Sequence, residues 1–390
     1  MILEHKHDLN AFREAVRQWI KQTLPVDWRE KSNKDYPGFQ RWWMDQFSRA
    51  GIATPHWPVE YGGADLSLWH QVVIADEMAR ADAPGLNMYT VSLNHIPATL
   101  LAWGSKEQKD RYLPGVGAGD VWCQGFSEPG AGSDLASLRT RAVREGDEYI
   151  VNGQKVWSSF SMYADYCILL ARTDPNVKKH AGISFFIMDM HTPGVEVLPI
   201  RQINGQSEFA ELFLTDVRIP VTDRIGEEGQ GWQVAQSTLA SERGVLGYTM
   251  AEQLRFGVEA FYRKAVEAEA AWLKDDQLRR EFMHLFGQMQ ALRRMIRQLL
   301  EESAHSHDAS YVLPAYVKLI LSELRQKFAA LRLRITGIGG QRRFQGPPGD
   351  EQIEETSLFD YLSTYDYTIS AGTNEIMRNI IAERGLGMPR

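Results

Sequence analysis

The chain has 390 residues, of which 44% are hydrophobic and 24% charged, and its formal net charge is −7. This composition is typical of a globular protein with two or three structural units, and the negative charge argues against nucleic acid as a partner. Two cysteines, Cys123 and Cys167, are too few for a disulfide framework or a cysteine zinc site, which favours the cytoplasm. We find no signal-peptide pattern and no apolar run of membrane-spanning length, so no membrane partner is expected.

Residues 1–121 are predicted to form an N-terminal helical domain. Apolar residues recur at helical spacing through residues 9–20 and again through residues 71–81. Ser105, followed three residues later by Gln108, is typical of a capping box at the start of a further helix. Packed core is the expected role of the apolar positions.

Residues 122–229 are predicted to form a central β domain, because the apolar period changes to two. Strands are expected at residues 138–143, 148–151, 166–171, 183–189, 195–200 and 212–219. Glu145-Gly146-Asp147 and Asn152-Gly153 are typical of hairpin turns, which indicates an antiparallel sandwich or barrel. No Gly-x-Gly-x-x-Gly motif follows a strand, so a Rossmann nicotinamide site is not expected.

Residues 230–390 return to helical spacing and are predicted to form a helical domain similar to a four-helix bundle. Helices are expected at residues 239–261, 282–299, 319–333, 359–367 and 376–383, and an exposed loop at residues 346–350. The predicted fold class is therefore α+β and multi-domain, in the order helical, β, helical.

The stretch from Gln124 to Asp134 reads Gln-Gly-Phe-Ser-Glu-Pro-Gly-Ala-Gly-Ser-Asp. Three glycines and a proline exclude a regular helix or a central strand. The glycines allow close approach to a flat or anionic group, and Ser127 and Ser133 offer hydroxyl groups. Taken alone, such a loop is most often an ordinary surface turn.

Three further motifs accompany this loop: Trp57-Pro-Val-Glu-Tyr-Gly-Gly63, Asn152-Gly-Gln-Lys-Val-Trp-Ser-Ser159 and Gly372-Thr-Asn-Glu-Ile376. Together, and in this order, they resemble the signatures of the acyl-CoA dehydrogenase family over nearly the whole chain. The resemblance implies the same helical, β, helical architecture and an FAD cofactor. It also implies removal of an α-proton and a β-hydride from an acyl-CoA to give a trans-2-enoyl-CoA, with electrons passing to an electron-transfer flavoprotein.

The resemblance also implies a set of cofactor contacts. The residues assigned to FAD are Phe126, Ser127, Trp157, Ser159, Gly340, Thr373 and Glu375. Phe126 and Ser127 would contact the pyrimidine end and N5, and Trp157 would pack against the isoalloxazine. A core tryptophan, turn serines and a capping Glu375 are the alternatives, and the alignment of Gly340 with the family's Gly-Gly pair stays open. No metal site is expected, since His305-Ser306-His307 lacks carboxylate or cysteine neighbours.

The catalytic base is expected at Glu242. Many family members carry a glutamate directly before the Gly-Thr of the C-terminal motif, where this chain has Ala371. Others carry it on the first long C-terminal helix, directly before an arginine, and Glu242-Arg243 matches that pattern. Leu239 and Leu246 lie three residues before and four after Glu242, which predicts that its carboxylate projects with the apolar face. A glutamate seldom points into a core without a function or a partner, and an ion pair is the alternative.

The resemblance further places Ser133 and Arg243 near the thioester and the CoA moiety. At Ala371 the backbone N–H would donate to the thioester oxygen, because a backbone donor survives a side-chain change. The small side chain of Ala371 would leave room for a branched or bulky acyl group.

The assembly remains open between a homo-oligomer and a hetero-oligomer, with a tetramer expected. Homotetrameric relatives carry an Arg-x-x-Phe-Gly motif after the first long C-terminal helix, and residues 267–275 occupy that region without it. This resembles the heteromeric acyl-CoA dehydrogenases of bacterial steroid side-chain breakdown, in which two chains form each FAD site. A non-catalytic half-site subunit and a flavin-dependent acyl-CoA oxidase are the alternative functions.

Overall fold

The structure is a computed structural model that describes residues 2–241, 245–305, 312–340 and 357–389. These residues form two compact units. The helical unit contains the described residues among 1–34, 67–85 and 242–390. The sheet unit contains residues 35–66 and 86–241, so the N-terminal helices are divided between the units.

Helices make up most of the described elements, and the strands are confined to the sheet unit. The α-helices are α1 (Leu9–Thr23), α2 (Trp28–Lys34), α3 (Tyr36–Arg49), α4 (Leu68–Arg80), α5 (Ile96–Trp103), α6 (Lys106–Ala118), α7 (Gly231–Ser241), α8 (Val245–Glu267), α9 (Asp276–His305), α10 (Val312–Gly340), α11 (Ser357–Ser363) and α12 (Asn374–Ile380). The strands are β1 (Trp122–Gly125), β2 (Arg141–Glu145), β3 (Glu148–Ser159), β4 (Tyr166–Arg172), β5 (Ile183–Asp189), β6 (Val195–Ile200), β7 (Phe209–Pro220) and β8 (Arg224–Ile225). Within the described residues no helix is both long enough and apolar enough to cross a membrane.

The helical predictions are confirmed where the structure describes them, except that the helix predicted at residues 359–367 ends at Ser363 and is followed by a turn and a short 3-10 helix, Asp366–Thr368. Ser105 and Gln108 form the expected capping box at the start of α6. The predicted helix at residues 239–261 corresponds to α7 and α8, and residues 242–244 lie outside the described residues. The predicted loop at residues 346–350 also lies outside them.

The core of the helical unit is formed by apolar faces of α4, α8, α9 and α10. Within this unit Glu252 of α8 has no exposed side-chain surface. Its carboxylate accepts hydrogen bonds from Arg255 on the same helix (2.7 Å) and from Arg293 on α9. Because a buried charge requires partners, this carboxylate is bonded to both α8 and α9.

The strands form one sheet in the order β6-β7-β3-β2-β4-β5-β8. The remaining strand, β1, is not part of this order and pairs with β4. Pairing is antiparallel except between β1 and β4 and at one contact between β2 and β4. The predicted antiparallel-rich β domain is therefore confirmed. β5 and β6 have the predicted bounds.

One predicted hairpin turn is confirmed and the other is wrong. β2 and β3 pair antiparallel across Glu145-Gly146-Asp147. Asn152-Gly153 does not reverse the chain, because both residues lie inside β3, where the register with β7 shifts. A Cβ at Gly153 would lie 2.4 Å from Thr140 Oγ1, so close approach of the neighbouring chain accounts for this glycine.

Apolar side chains cover both faces of the sheet. Ile168 and Leu170 of β4 belong to a cluster with α5, α6 and α7. Cys167 and Leu169, which point to the opposite face, belong to a second cluster with Met44 of α3. A strand buried on both faces favours apolar residues at successive positions, which explains the apolar runs of β4 and β5. The one polar residue inside the β5 run, Ser184, is buried with its hydroxyl hydrogen-bonded to Thr173 and to the N–H of Gly229.

Candidate active site

The glycine-rich loop begins where β1 ends and is fixed by its own hydrogen bonds. Phe126 is 4% exposed and packs in the core of the sheet unit. Glu128 and Ala131 exchange both backbone hydrogen bonds, at 3.1 and 3.0 Å, so Pro129-Gly130 forms a two-residue turn. Ser127 is half-buried between the core and this turn. The prediction of a loop is therefore confirmed for residues 126–134, whereas Gln124 and Gly125 belong to β1 and pair with β4.

Trp157 projects from β3 at a bulge. The pairing of β3 with β7 shifts between Lys155 and Ser158, and Trp157 has a φ of 64°. Left-handed backbone is rare for a bulky side chain and costs free energy. The indole is 58% exposed, whereas Ser158 beside it is buried. The structure therefore presents a flat aromatic surface here, and the alternative of a core tryptophan is wrong.

The loop and the bulge are joined by a buried lysine. Lys155 Nζ donates to the carbonyl oxygen of Phe126 at 3.1 Å and to Glu128 Oε1 at 2.8 Å. The N–H of Val156 donates to the carbonyl oxygen of Ser127 at 2.9 Å. Three consecutive loop residues are thus bonded to the two residues that precede Trp157.

The surroundings shift the pKa values of both members of this ion pair. Burial lowers the pKa of Lys155 to about 8, although Glu128 acts in the opposite direction. Burial acts to raise the pKa of Glu128, but Lys155 and the hydrogen bonds from the Thr140 and Arg139 segment outweigh it, so that pKa is lowered. Backbone N–H groups of Arg139 and Thr140 donate to this carboxylate at 2.7 and 2.8 Å. Both members are therefore charged at neutral pH.

The far end of the loop is exposed to solvent. Ser133 and Asp134 are both exposed, and Asp134 accepts hydrogen bonds from Ser137 and from Lys179 Nζ, the latter at 2.9 Å. The hydrogen bond from Ser137, together with Lys179, holds the pKa of Asp134 below its ordinary value. Asp134 stands at the N-cap position of a short 3-10 turn, Leu135–Ser137, but its side chain forms no capping hydrogen bond to the backbone there. Ser133 is accessible to a ligand.

The C-terminal motif is held against α10. Ala371 and Gly372 have left-handed backbone, with φ of 53° and 82°. Lys318 Nζ donates to the carbonyl oxygen of Gly372 at 2.7 Å and to the side-chain oxygen of Asn374 at 2.9 Å. Ser322 donates to the same Asn374 oxygen at 3.0 Å. The turn at Ala371 is therefore supported by two side chains that precede it by about 50 residues, a long-range contact of the kind that local propensity does not encode.

Thr373 and Glu375 lie at the start of α12. Thr373 caps the helix, because its hydroxyl oxygen accepts from the N–H of Ile376 at 3.2 Å. Glu375 is 79% exposed, and its carboxylate lies 3.8 Å from Arg378. Its own backbone N–H and the Thr373 hydroxyl hold its pKa below the ordinary value.

The remaining predicted residues lie either at the ends of described helices or outside the described residues. Gly340 is the last residue of α10, in which Gly337 departs from helical geometry with a φ of 58°. Glu242 and Arg243 fall outside the described residues. His305 ends α9, and residues 306–307 also fall outside them.

The structure brings together the predicted residues of the sheet unit, which are Phe126, Ser127, Trp157 and Ser159. Thr373, Glu375, Ala371 and Gly340 belong to the helical unit. The sequence analysis did not predict that Lys155 and Lys318 donate hydrogen bonds to backbone carbonyl oxygens. A signal for Lys155 exists, because it has the same strand parity as the buried residues Tyr149 and Val151.

Three family models match the chain in sequence order. They are described as "Acyl-CoA dehydrogenase, N-terminal domain", which matches residues 6–120, "Acyl-CoA dehydrogenase, middle domain", which matches residues 123–217, and "Acyl-CoA dehydrogenase, C-terminal domain", which matches residues 229–386. A curated relative, "Acyl-CoA dehydrogenase IpdE1" of Mycobacterium tuberculosis, is 36% identical over 392 residues and covers 98% of each chain.

Two solved structures share this architecture. A chain of "Tcur3481-Tcur3483 steroid ACAD" is 30% identical, with a TM-score of 0.82 and coverage of 98% of this chain and 98% of the other. A chain of the "ChsE4-ChsE5 complex from Mycobacterium tuberculosis" is 30% identical, with a TM-score of 0.82 and coverage of 99% and 98%.

Proposed function

Because this chain belongs to the acyl-CoA dehydrogenase family and is an acyl-CoA dehydrogenase, we propose that it uses FAD to desaturate a bulky acyl-CoA thioester. The observation that carries the proposal is the exposed Trp157 indole, presented by a strand bulge beside the Ser127 loop. The products are a trans-2-enoyl-CoA and a reduced cofactor.

The residues of the sheet unit fit a flat, polar-edged cofactor. A bulky aromatic side chain held in left-handed backbone and left 58% exposed has a solvent-facing surface on which a planar ring system can pack. The half-buried Ser127 and Ser159 supply hydroxyl groups for its polar edge. Phe126 lies directly before Ser127. When bound, FAD supplies the acceptor for the hydride that leaves Cβ.

In the helical unit Thr373, Glu375 and Gly340 are proposed to hold the ribose or diphosphate region of FAD. Support comes from the resemblance of the C-terminal motif to the family and from the long-range contacts that fix its turn. The Thr373 hydroxyl caps α12 with its oxygen and also hydrogen-bonds to the Glu375 carboxylate, so the two side chains are held together at the start of this helix.

Glu242 is proposed as the base that takes the α-proton, and Arg243 as the residue that orders it. The proton moves from Cα to the Glu242 carboxylate, a hydride leaves Cβ, and the Cα–Cβ double bond forms. The proposal rests on the Glu-Arg pattern and on the helical spacing with Leu239 and Leu246. An α-proton beside a thioester is weakly acidic, so a positioned carboxylate and a donor to the thioester oxygen are both needed.

That donor is proposed to be the backbone N–H of Ala371. The following carbonyl, that of Gly372, is fixed by Lys318, so the peptide that carries this N–H belongs to a held turn. Ser133, on the exposed end of the glycine-rich loop, is proposed to contact the thioester arm. An alanine occupies less volume than a glutamate, which favours a branched or ring-bearing acyl group. The names of the solved steroid ACAD and of the ChsE4-ChsE5 complex support a steroid-derived acyl chain and a second, different subunit.

The first test is flavin content, measured from visible absorbance for the chain purified alone and after co-expression with a second acyl-CoA dehydrogenase-like chain. About one FAD per chain in the first preparation supports a homo-oligomer, which the family expectation would make a tetramer. Flavin that binds only in the co-expressed preparation supports the heteromer. A chain that binds no FAD in either preparation contradicts the cofactor proposal.

The second test compares Glu242→Gln with Glu267→Gln, an exposed glutamate at the end of α8. Loss of a general base is expected to lower kcat by roughly 100-fold or more, while FAD content stays unchanged. The control is expected to retain wild-type kcat. Unchanged turnover by assembled Glu242→Gln protein would reject this base and favour the half-site alternative. Turnover is measured with electron-transfer flavoprotein as acceptor, and rapid peroxide formation without it would favour an oxidase.

A further inference from the structure

The residues on both sides of Ser127 are bonded to the strand that carries Trp157. Lys155 Nζ reaches the carbonyl before Ser127 and the carboxylate after it, at 3.1 and 2.8 Å. The carbonyl of Ser127 itself accepts from Val156 N–H at 2.9 Å. We call Lys155, Glu128 and the Phe126 carbonyl the lysine clamp. Its geometry leaves little freedom for Ser127 to move relative to β3.

The clamp is buried and anchored on a third segment. The Lys155 side chain has no exposed surface and that of Glu128 is 8% exposed. Glu128 also accepts the N–H groups of Arg139 and Thr140, which precede β2. Charged hydrogen bonds of this length are stronger and more directional than neutral ones. The loop, β3 and the segment before β2 therefore meet at one carboxylate.

Packing alone does not account for a charged pair at this position. Buried ion pairs seldom stabilise a fold more than apolar residues of similar volume, because desolvation offsets their attraction. The lowered pKa of Lys155 shows that its charge is held against such a cost. What a hydrogen-bonded pair adds over apolar contacts is direction, since it fixes the positions of the atoms it joins.

Trp157 is held from both sides of the bulge. The clamp precedes it, and after it Phe160 N–H donates to the Glu208 carbonyl at 2.7 Å. The Trp157 ring also contacts Phe209 edge to face, with ring centroids 6.1 Å apart. Left-handed backbone at a tryptophan persists only where its surroundings enforce it.

We propose that Lys155 and Glu128 are positioning residues that set the placement of Ser127 relative to Trp157, and so pre-organise the flavin site. The proposal rests on the proposed FAD function. Neither residue contacts the reacting atoms. Removing the clamp is therefore expected to release the loop and the bulge locally and to weaken FAD binding.

The experiment compares Lys155→Met and Glu128→Gln with Asp223→Asn. Asp223 is a suitable control because it is another buried carboxylate of the sheet unit, bonded to Arg111 and to Tyr112 at 3.2 and 2.9 Å. The first readout is hydrogen exchange in the FAD-free protein. Both clamp variants are expected to exchange at least about 10-fold faster at residues 126–128 and 155–160, with β5 unchanged. The control is expected to leave these segments unchanged.

The second readout is the Kd for FAD, obtained by titrating the FAD-free protein, or the FAD-free complex if a second chain is required. We expect a rise of about 10-fold or more for both clamp variants and less than about 2-fold for the control. Exchange at residues 126–128 and 155–160 that matches wild type would overturn the proposal, whether or not the wild-type chain binds FAD. It would also be overturned if both clamp variants failed to fold, because the pair would then be needed for the fold itself. Absence of FAD binding by wild type, with the exchange result as expected, would instead reject the cofactor.

Discussion

Lys155 couples the stability of the sheet unit to pH above neutrality. Its pKa in the folded chain is about 8, compared with 10.5 for an ordinary lysine, because burial disfavours the ammonium form. Between these two pH values the unfolded chain binds more protons than the folded chain does. The free energy of unfolding therefore rises with pH across this window. Below the window, the destabilisation caused by burying the charged lysine is fully present.

The size of the effect follows from the pKa difference of about 2.5. At about 1.36 kcal/mol for each pH unit, the whole window corresponds to about 3.4 kcal/mol. About 2 kcal/mol of this lies between about pH 7 and pH 9.5, where urea unfolding is practicable. Replacing the lysine by methionine removes the titrating group and keeps most of the apolar stem.

The measurement is the free energy of unfolding of wild type minus that of Lys155→Met, obtained from urea titrations followed by far-UV circular dichroism. We expect this difference to rise by about 2 kcal/mol from about pH 7 to pH 9.5, since the other titrating groups cancel. Lys179→Met is the control, because it makes the same substitution at a side chain that is 59% exposed. A difference for Lys155→Met that does not change with pH would refute the argument that burial holds this pKa down.

Two further substitutions test the packing of each unit. Glu252→Gln is expected to lower the free energy of unfolding by about 2 kcal/mol, because it leaves two arginines without their buried carboxylate. Glu259→Gln, at a position 31% exposed, is expected to cost less than about 1 kcal/mol, and equal thermal shifts for the two variants would contradict the reasoning. Gly63→Ala is expected to cost roughly 2 kcal/mol or more, because its Cβ would lie 2.0 Å from the Trp57 carbonyl oxygen. A melting temperature equal to that of wild type would contradict this prediction, because it would show that the loop accommodates the added Cβ without loss of stability.

Much of the fold is predictable because the spacing of apolar residues is a local property. The bounds of β5 and β6 follow from their apolar and turn residues, and α9 follows from a sustained helical stripe. The Ser105 capping box is also local, since both of its hydrogen bonds lie within one helical turn.

The errors arise where tertiary contacts override local preference. Asn152-Gly153 has the composition of a hairpin turn, but pairing with β7 on the far side of β3 keeps the chain extended there. The left-handed backbone of Trp157 opposes its own propensity and depends on bonds to distant residues. Neither could be deduced from neighbouring residues alone.

The candidate site shows the same division. The motifs that contain Ser127, Trp157 and Thr373 can be recognised from the sequence, because their glycines and small polar residues interrupt the apolar periodicity. The supporting lysines do not, since their partners are backbone carbonyls of residues 126 and 372, about 30 and 50 positions away in the chain. For Lys155 the sequence contains one indication of a supporting role, which is a lysine at a strand position that faces the core.

The burial of β5 on both faces has a consequence for biosynthesis. Residues 183–188 form an uncharged, aromatic-rich, proline-free segment of the kind that self-associates when exposed. One of its covers is α7, whose first residue, Gly231, approaches so closely that a Cβ there would lie 2.5 Å from the Ser184 backbone. α7 emerges from the ribosome about 45 residues after this segment, so a nascent chain stalled between the two exposes it. Truncation between residues 190 and 230 is therefore expected to send the product to chaperones or inclusion bodies, whereas the completed chain shields the segment.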